Sequence, residues 1–102
     1  MPAKPISISK LKDSCEDVSA LLRALSHPGR LLVLDHLLQG EKTVSELQEL
    51  CGISQSQLSQ FLGRMKLEGL VACEKKGRFC YYRTASPKVS RLITAINSIY
   101  CK

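Results

Sequence analysis

Apolar residues in this chain recur mostly at intervals of three and four, the spacing that gives a helix one buried face. Leu11, Cys15, Val18, Leu22 and Leu25 form the first such stripe. Pro28 suits the first turn of a second helix, because no amide partner is needed there and its φ is already helical. That helix is predicted to run to about Gln39, with Gly40 beyond it. Leu31, Leu32, Val33, Leu34, Leu37 and Leu38 make it apolar almost all round, so it should be the central buried element. A third helix is predicted over about 44–50 and a fourth over about 55–68, ended by Gly69. Leu70 to Lys76 and Arg78 to Arg83 then read as a hairpin turning at Lys76-Gly77. A last helix, about Pro87 to Tyr100, gathers Val89, Leu92, Ile93, Ile96, Ile99 and Tyr100 on one side.

The punctuation between these elements narrows the picture. Thr43 with Glu46 has the T-x-x-E form of a capping box, and Ser54 with Gln57 the S-x-x-Q form. Gly52 stands between them, where a helix end wants positive φ. Two short helices joined by so brief a turn make a helix-turn-helix, whose second helix is shaped to enter the major groove of DNA. The predicted fold class is therefore mainly α with a small β-hairpin. About five helices and a two-stranded wing form one domain over residues 11–102, after a loose basic arm at residues 1–10.

Charge agrees with that reading. The chain has 102 residues and a formal charge of +6, which favours a polyanionic partner. Between Arg64 and Arg83 six basic residues stand against two acids, leaving +4 in the part that includes the wing. On the fourth helix, Leu58, Phe61, Leu62 and Met65 share one side at helical spacing, which turns Gln55, Ser56, Ser59, Gln60 and Arg64 outward. Glutamine can hydrogen-bond adenine bidentately, serine can serve base or phosphate, and arginine prefers guanine or phosphate. Lys75, Lys76 and Arg78 around Gly77 suit contact with the DNA backbone or minor groove. Arg30 either binds phosphate or braces its helix through Asp35 or Glu46; the sequence leaves both open.

The segments LSHPGRLLVLDHLL, TVSELQELCGISQSQLSQFL and GLVACEKKGRFCYYR resemble the ArsR/SmtB family of winged-helix repressors. The resemblance spans about Leu21 to Tyr100, and the recognition-helix form SQSQLSQ and the ending IYC are closest to its BigR and HlyU branch. It implies a homodimer with a β-hairpin wing, bound to double-stranded DNA at a palindromic operator. It also implies that Gln55, Ser56, Ser59 and Gln60 are the positions that read DNA. Phe61 replaces a histidine that many members carry, so no polar group is offered from that position. Apart from the resemblance, a two-fold dimer would set two recognition helices about one DNA turn apart, roughly 34–36 Å. The first and last helices are apolar enough to pair with a second subunit or to pack on their own core.

For the signal, the resemblance excludes more than it supplies. Thr43 and Ser45 stand where arsenic and lead sensors carry a Cys-x-Cys pair, leaving soft metals no thiolates there. Ser86, Lys88, Ile99 and Lys102 stand where zinc sensors need an acid and histidines. His27 and His36 are assigned to a helix start and a surface turn rather than to a metal. In the sulfur- and oxidant-responsive branch, a cysteine on the second helix bonds through sulfur with one ending the last. Cys101 matches the latter, but Asp35 replaces the former. Cys15 is the substitute partner for a Cys15–Cys101 redox pair, or a small hydrophobe completing its stripe. A turn at Lys76-Gly77 sets Cys73 opposite Cys80, with Val71 and Tyr82 on the same inward face. Directly opposed positions of that kind are poorly placed for a disulfide, so filling space under the wing is the simpler role. Cys51, just before Gly52, is assigned to packing.

Other classes fall away on simple grounds. No Ser/His/Asp, Cys/His or phosphate-loop set is present, and H-P-G-R is not a glycine-rich loop, so an enzyme, a cofactor and a small-molecule substrate are not expected. No apolar run approaches the roughly 20 residues of a membrane span, and MPAKPISISK lacks the apolar middle of a signal peptide. A cytoplasmic protein with five reduced thiols is expected. Two alternatives stay open: the same regulator with another inducer or none, and a winged helix used for protein contact. A charged face argues against the second, since interface cores are depleted in charge.

Overall fold

Helix α2 (Pro28–Leu37) is the element around which the others are arranged. Pro28 opens its first turn, and His27 caps it by accepting the Gly29 amide on Nδ1 at 3.0 Å. Val33, Leu34 and Leu37 are sealed from solvent while Leu32 remains 38% exposed, so this helix is central but not covered all round. The structure, a computed structural model, describes residues 8–101. Residues 1–7 of the expected arm lie outside the described residues.

Helix α1 (Ile8–Leu25) packs on α2 through its C-terminal end. Ala24 and Leu25 are buried there, whereas Val18 and Leu22 are 40% and 51% exposed and Cys15 lies open to solvent. The apolar stripe read from the sequence therefore exists, but within one chain most of it faces outward. Helix α5 (Pro87–Tyr100) shows the same gradient. Ser86 caps it on the Val89 amide, Val89 and Ile93 are buried, and Ile99 and Tyr100 are 65% and 81% exposed.

Helices α3 (Val44–Cys51) and α4 (Gln55–Leu67) form the helix-turn-helix. Both halves of the Thr43–Glu46 capping box are made, at 2.8 and 3.2 Å. The second box is only half made. Ser54 Oγ accepts the Gln57 amide at 3.2 Å, but no return bond from the Gln57 side chain forms. Gly52 takes the left-handed conformation at φ 66°, closing α3 on the Gln48 carbonyl. Leu47, Leu58, Leu62 and Met65 meet Leu34, Val71 and Val89 in one core. Each such burial contributes roughly 1.5–3 kcal/mol.

The wing is β1 (Val71–Lys76) paired antiparallel with β2 (Phe79–Thr84). Its turn is Gly77-Arg78, not Lys76-Gly77, and Cys73 faces Tyr82 rather than Cys80. The reason is local. Gly77 is left-handed at φ 63° and no other residue type has positive φ among the described residues. A turn with glycine second would force Lys76 into that region, whereas glycine first, as in a type II′ turn, spares every side chain. The shift is two residues, so Val71, Cys73, Cys80 and Tyr82 still share a face. Lys42 exchanges backbone hydrogen bonds with Tyr82 at 3.0 and 2.8 Å, tying the wing to the residue just before the α3 cap. A lone hairpin would be marginal in water; this third segment anchors it.

Candidate nucleic-acid interface

The buried stripe of α4 sets the direction of everything else on that helix. Leu58, Phe61, Leu62 and Met65 point into the core, and Gln55, Ser56, Ser59, Gln60 and Arg64 are all exposed on the opposite side. Gln55 and Ser56 lie in the first turn, whose free amides and dipole favour phosphate. The residues nominated from sequence thus form one polar face, although Arg64 is engaged by Glu68 at 3.4 Å in an exposed pair.

Phe61 fixes how this helix sits on α2. It is 8% exposed, meets the His27 ring edge-on with centroids 4.7 Å apart, and carries the Arg30 guanidinium 5.9 Å above it. Gly29 lies beneath, with room for no side chain: a Cβ there would stand 2.6 Å from the Phe61 ring. No pattern in the sequence marks Gly29, because the ring that excludes its side chain lies on another helix.

Arg30 is neither paired with Asp35 nor with Glu46. Its Nη1 donates to the Ala24 carbonyl at 3.0 Å, fastening the α1–α2 junction, and its buried Nε has no protein partner. Glu46 is occupied by the capping box, and Asp35 accepts from Asn97 Nδ2 at 2.6 Å. Arg30 also lines a depression with Gln60, Phe61, Arg64 and Leu67, beside the exposed polar face of α4.

At the wing tip, Lys75, Lys76 and Arg78 are exposed. Lys76 is bound to Glu41 and lies 5.2 Å from the Tyr81 ring centre. The carboxylate of Glu41 raises the Lys76 ammonium pKa, so the side chain stays charged. Lys75 and Arg78 make no ion pair among the described residues.

The two cysteines nominated for sensing are both exposed but occupy different depressions. Cys101 lies between α2 and α5 with Leu31, Leu32, Asp35, Ile96 and Asn97, and Cys15 lies on α1 with Glu16, Ser19 and Arg23. Within one chain the structure does not bring them together. Cys51 packs against the core, and burial raises its thiol pKa. His27 caps α2 and His36 is in its last turn. No cluster of three or more His, Cys, Asp or Glu exists among the described residues, and no described helix is long and apolar enough to cross a membrane.

A capped helix-turn-helix with a polar outer face, followed by a tethered hairpin with a basic tip, defines a winged helix-turn-helix of the DNA-binding kind. Residues 27–72 match the bacterial regulatory proteins of the arsR family. The chain is 36% identical to the biofilm growth-associated repressor of Agrobacterium fabrum, over 96% of this chain and 88% of the relative. It is 31% identical to the transcriptional activator HlyU of Vibrio cholerae, over 96% and 91%. The crystal structure of the transcriptional repressor BigR from Xylella fastidiosa superposes with a TM-score of 0.90 at 33% identity, covering 95% of this chain and 99% of that one. A homodimeric winged helix-turn-helix domain from Mycobacterium bovis gives 0.72 at 28% identity, over 100% and 94%. The chain belongs to the ArsR family of transcription regulators, in the branch that contains BigR and HlyU.

Proposed function

We propose that this protein is a homodimeric repressor that binds a palindromic operator and releases it on a thiol-directed signal. The observation that carries the DNA reading is the α4 face: Gln55, Ser56, Ser59 and Gln60 are exposed above a fully buried stripe. Gln55 and Gln60 read bases, Ser56 and Ser59 serve bases or phosphates, and Arg64 reaches a phosphate by leaving Glu68. Lys75, Lys76 and Arg78 hold the flanking backbone, and Arg30 supports the same strand through its free edge. The exposed apolar residues Val18, Leu22, Leu32, Ile99 and Tyr100 support a second copy as their cover, as in the homodimeric relative.

The release signal acts on Cys15 and Cys101. Because they share no depression within one chain, an oxidant or polysulfide links Cys15 of one subunit to Cys101 of the other, taking two electrons and releasing both thiol protons. Anisotropy titrations on the protein's own promoter, with a scrambled duplex as control, test the first part. Gln55→Ala and Gln60→Ala should each relax preference at particular base pairs by about 1–3 kcal/mol per bidentate pair removed. An unchanged ratio of specific to random binding in both refutes readout by α4. Mass spectrometry after polysulfide treatment tests the second. A Cys15–Cys101 linkage between subunits, with loss of DNA binding cancelled by either Ser variant, is expected; operator binding unaffected by treatment refutes it.

A further inference from the structure

The observed register gives the wing a second chemistry. With Cys73 opposite Tyr82 and Lys75 opposite Cys80, the two thiols are diagonal neighbours on one face of the hairpin. They are near neighbours: the Cys73 thiol raises the pKa of the Cys80 thiol, and burial together with Cys73 raises that of the Tyr82 hydroxyl. All three side chains are half-buried. The neighbouring Cys73 thiol, followed by burial, raises the Cys80 thiol pKa, and Lys66 from α4 and Lys75, which favour its anionic form, offset this only in part.

We propose that Cys73 and Cys80 form a binding site for a soft, closed-shell monovalent cation of the Cu(I) and Ag(I) class, held between the two sulfurs. Three observations select this ligand. The Cα atoms of diagonal partners in a hairpin lie roughly 7–8 Å apart, beyond what a disulfide spans without backbone movement. An intervening ion with two metal–sulfur bonds of about 2.3 Å reaches further than one S–S bond. The donor set also fits: with no third His, Cys, Asp or Glu in the group among the described residues, zinc lacks its four ligands, whereas thiolate pairs suit soft ions of low coordination number. Finally, a raised thiol pKa slows attack on oxidants, which needs free thiolate, but a soft cation displaces the proton directly. Binding is a simple exchange in which both thiol protons leave to solvent and two metal–sulfur bonds form, with no change of oxidation state. The complex carries one negative charge, which Lys66 and Lys75 are placed to offset.

Occupancy would be felt by the helix-turn-helix. Tyr82 directly faces Cys73 across the hairpin, so an ion on that sulfur shifts its side chain, and the same residue holds Lys42 just before the α3 cap. The altered wing then changes operator affinity. This coupling rests on the DNA-binding reading; capture of the ion does not.

The test uses the full-length, fully reduced protein and Cu(I) buffered by a chromophoric chelator. Wild type and a variant with Cys15, Cys51 and Cys101 all replaced by Ser should each take one ion per chain, with two sulfur neighbours by X-ray absorption. Cys73→Ser or Cys80→Ser should weaken uptake by more than roughly 100-fold, the upper end for losing only an outer-shell partner. Wild-type affinity in either single variant, or no uptake by the triple variant, overturns the site. As a check that needs no variant, Ag(I) should protect Cys73 and Cys80 of the wild type from alkylation before the other three; equal labelling overturns it as well. Operator titration with and without Cu(I), in wild type and Cys73→Ser, reads the coupling separately. A shift confined to wild type supports it, and unchanged affinity with the ion bound refutes the coupling alone.

Discussion

Gly29→Ala is the smallest change that should disturb the recognition helix without touching its DNA face. The new methyl would meet the Phe61 ring at 2.6 Å and the His27 ring at 3.2 Å, where apolar atoms rest at about 3.5–4.0 Å. Phe61 must retreat by close to 1 Å, yet it is buried, with His27 at its edge and Arg30 over its face. Overpacking of this kind costs about 1–3 kcal/mol. Against it stands the helix preference of alanine over glycine, at most about 1 kcal/mol in a helix interior and less at the second position of α2. The net expectation is a loss of about 1–2 kcal/mol, or a Tm lower by roughly 5–10 °C for a domain of this size. Urea and thermal unfolding measure it, and operator titration should show a parallel loss because α4 is displaced through Phe61. Phe61→Leu should make room, so the double variant should be more stable than the sum of the singles by about 0.5–3 kcal/mol of coupling. Equal or raised stability in Gly29→Ala, or strict additivity with Phe61→Leu, would refute the close approach.

Three further outcomes follow from other contacts. Replacing Lys75, Lys76 and Arg78 by Ala should weaken binding to every duplex and flatten its salt dependence by about 0.9 in log–log slope for each phosphate no longer neutralised; an unchanged slope would mean the wing does not touch DNA. Glu46 has a pKa held below the usual glutamate value, first by its bond from the Thr43 amide. A depressed folded-state pKa gives stability that is present above the unfolded value and lost as pH falls through the folded one. Glu46→Gln should therefore lower stability at neutral pH and flatten the acid limb of the unfolding profile, as measured by chemical denaturation across pH. Asp35→Ala removes a 2.6 Å bond from Asn97 that joins α2 to α5; a loss of about 1.5–3 kcal/mol is expected for a hydrogen bond to a charged group, and an unchanged urea midpoint would count against that bond.

What is legible in the sequence is local. The T-x-x-E box, Gly52, Pro28 and Pro87 each fix a backbone choice within four residues, and all stand where the pattern places them. The face of α4 is equally plain, since four apolar residues at helical spacing leave only one way to turn the helix. The wing register is not, because either of two turns beside Gly77 satisfies the alternation, and only the cost of positive φ at Lys76 decides between them. Contacts across long separations are invisible. Asn97 meets Asp35 across 62 residues, and Arg30 turns to a main-chain carbonyl on α1, which no side-chain pattern announces. Gly29 falls in the same class, its meaning lying in a ring on another helix.

The charge count along the reading surface changes once the pairs are known. Of the six basic residues between Arg64 and Arg83, Arg64 is held by Glu68, Lys76 by Glu41 and Arg83 by Glu74. Glu68 and Glu74 are already counted in the +4 of this segment, and Glu41, outside it, draws off one more cation. Lys66, Lys75 and Arg78 remain without an ion pair among the described residues. These pairs are exposed, and such pairs contribute only about 0–1 kcal/mol each. Exchanging a carboxylate for a phosphate therefore costs little, while the release of counterions from DNA favours the exchange. If the proposed DNA contacts hold, Lys75 and Arg78 are free to meet phosphate directly, whereas Lys76 and Arg64 must first leave Glu41 and Glu68.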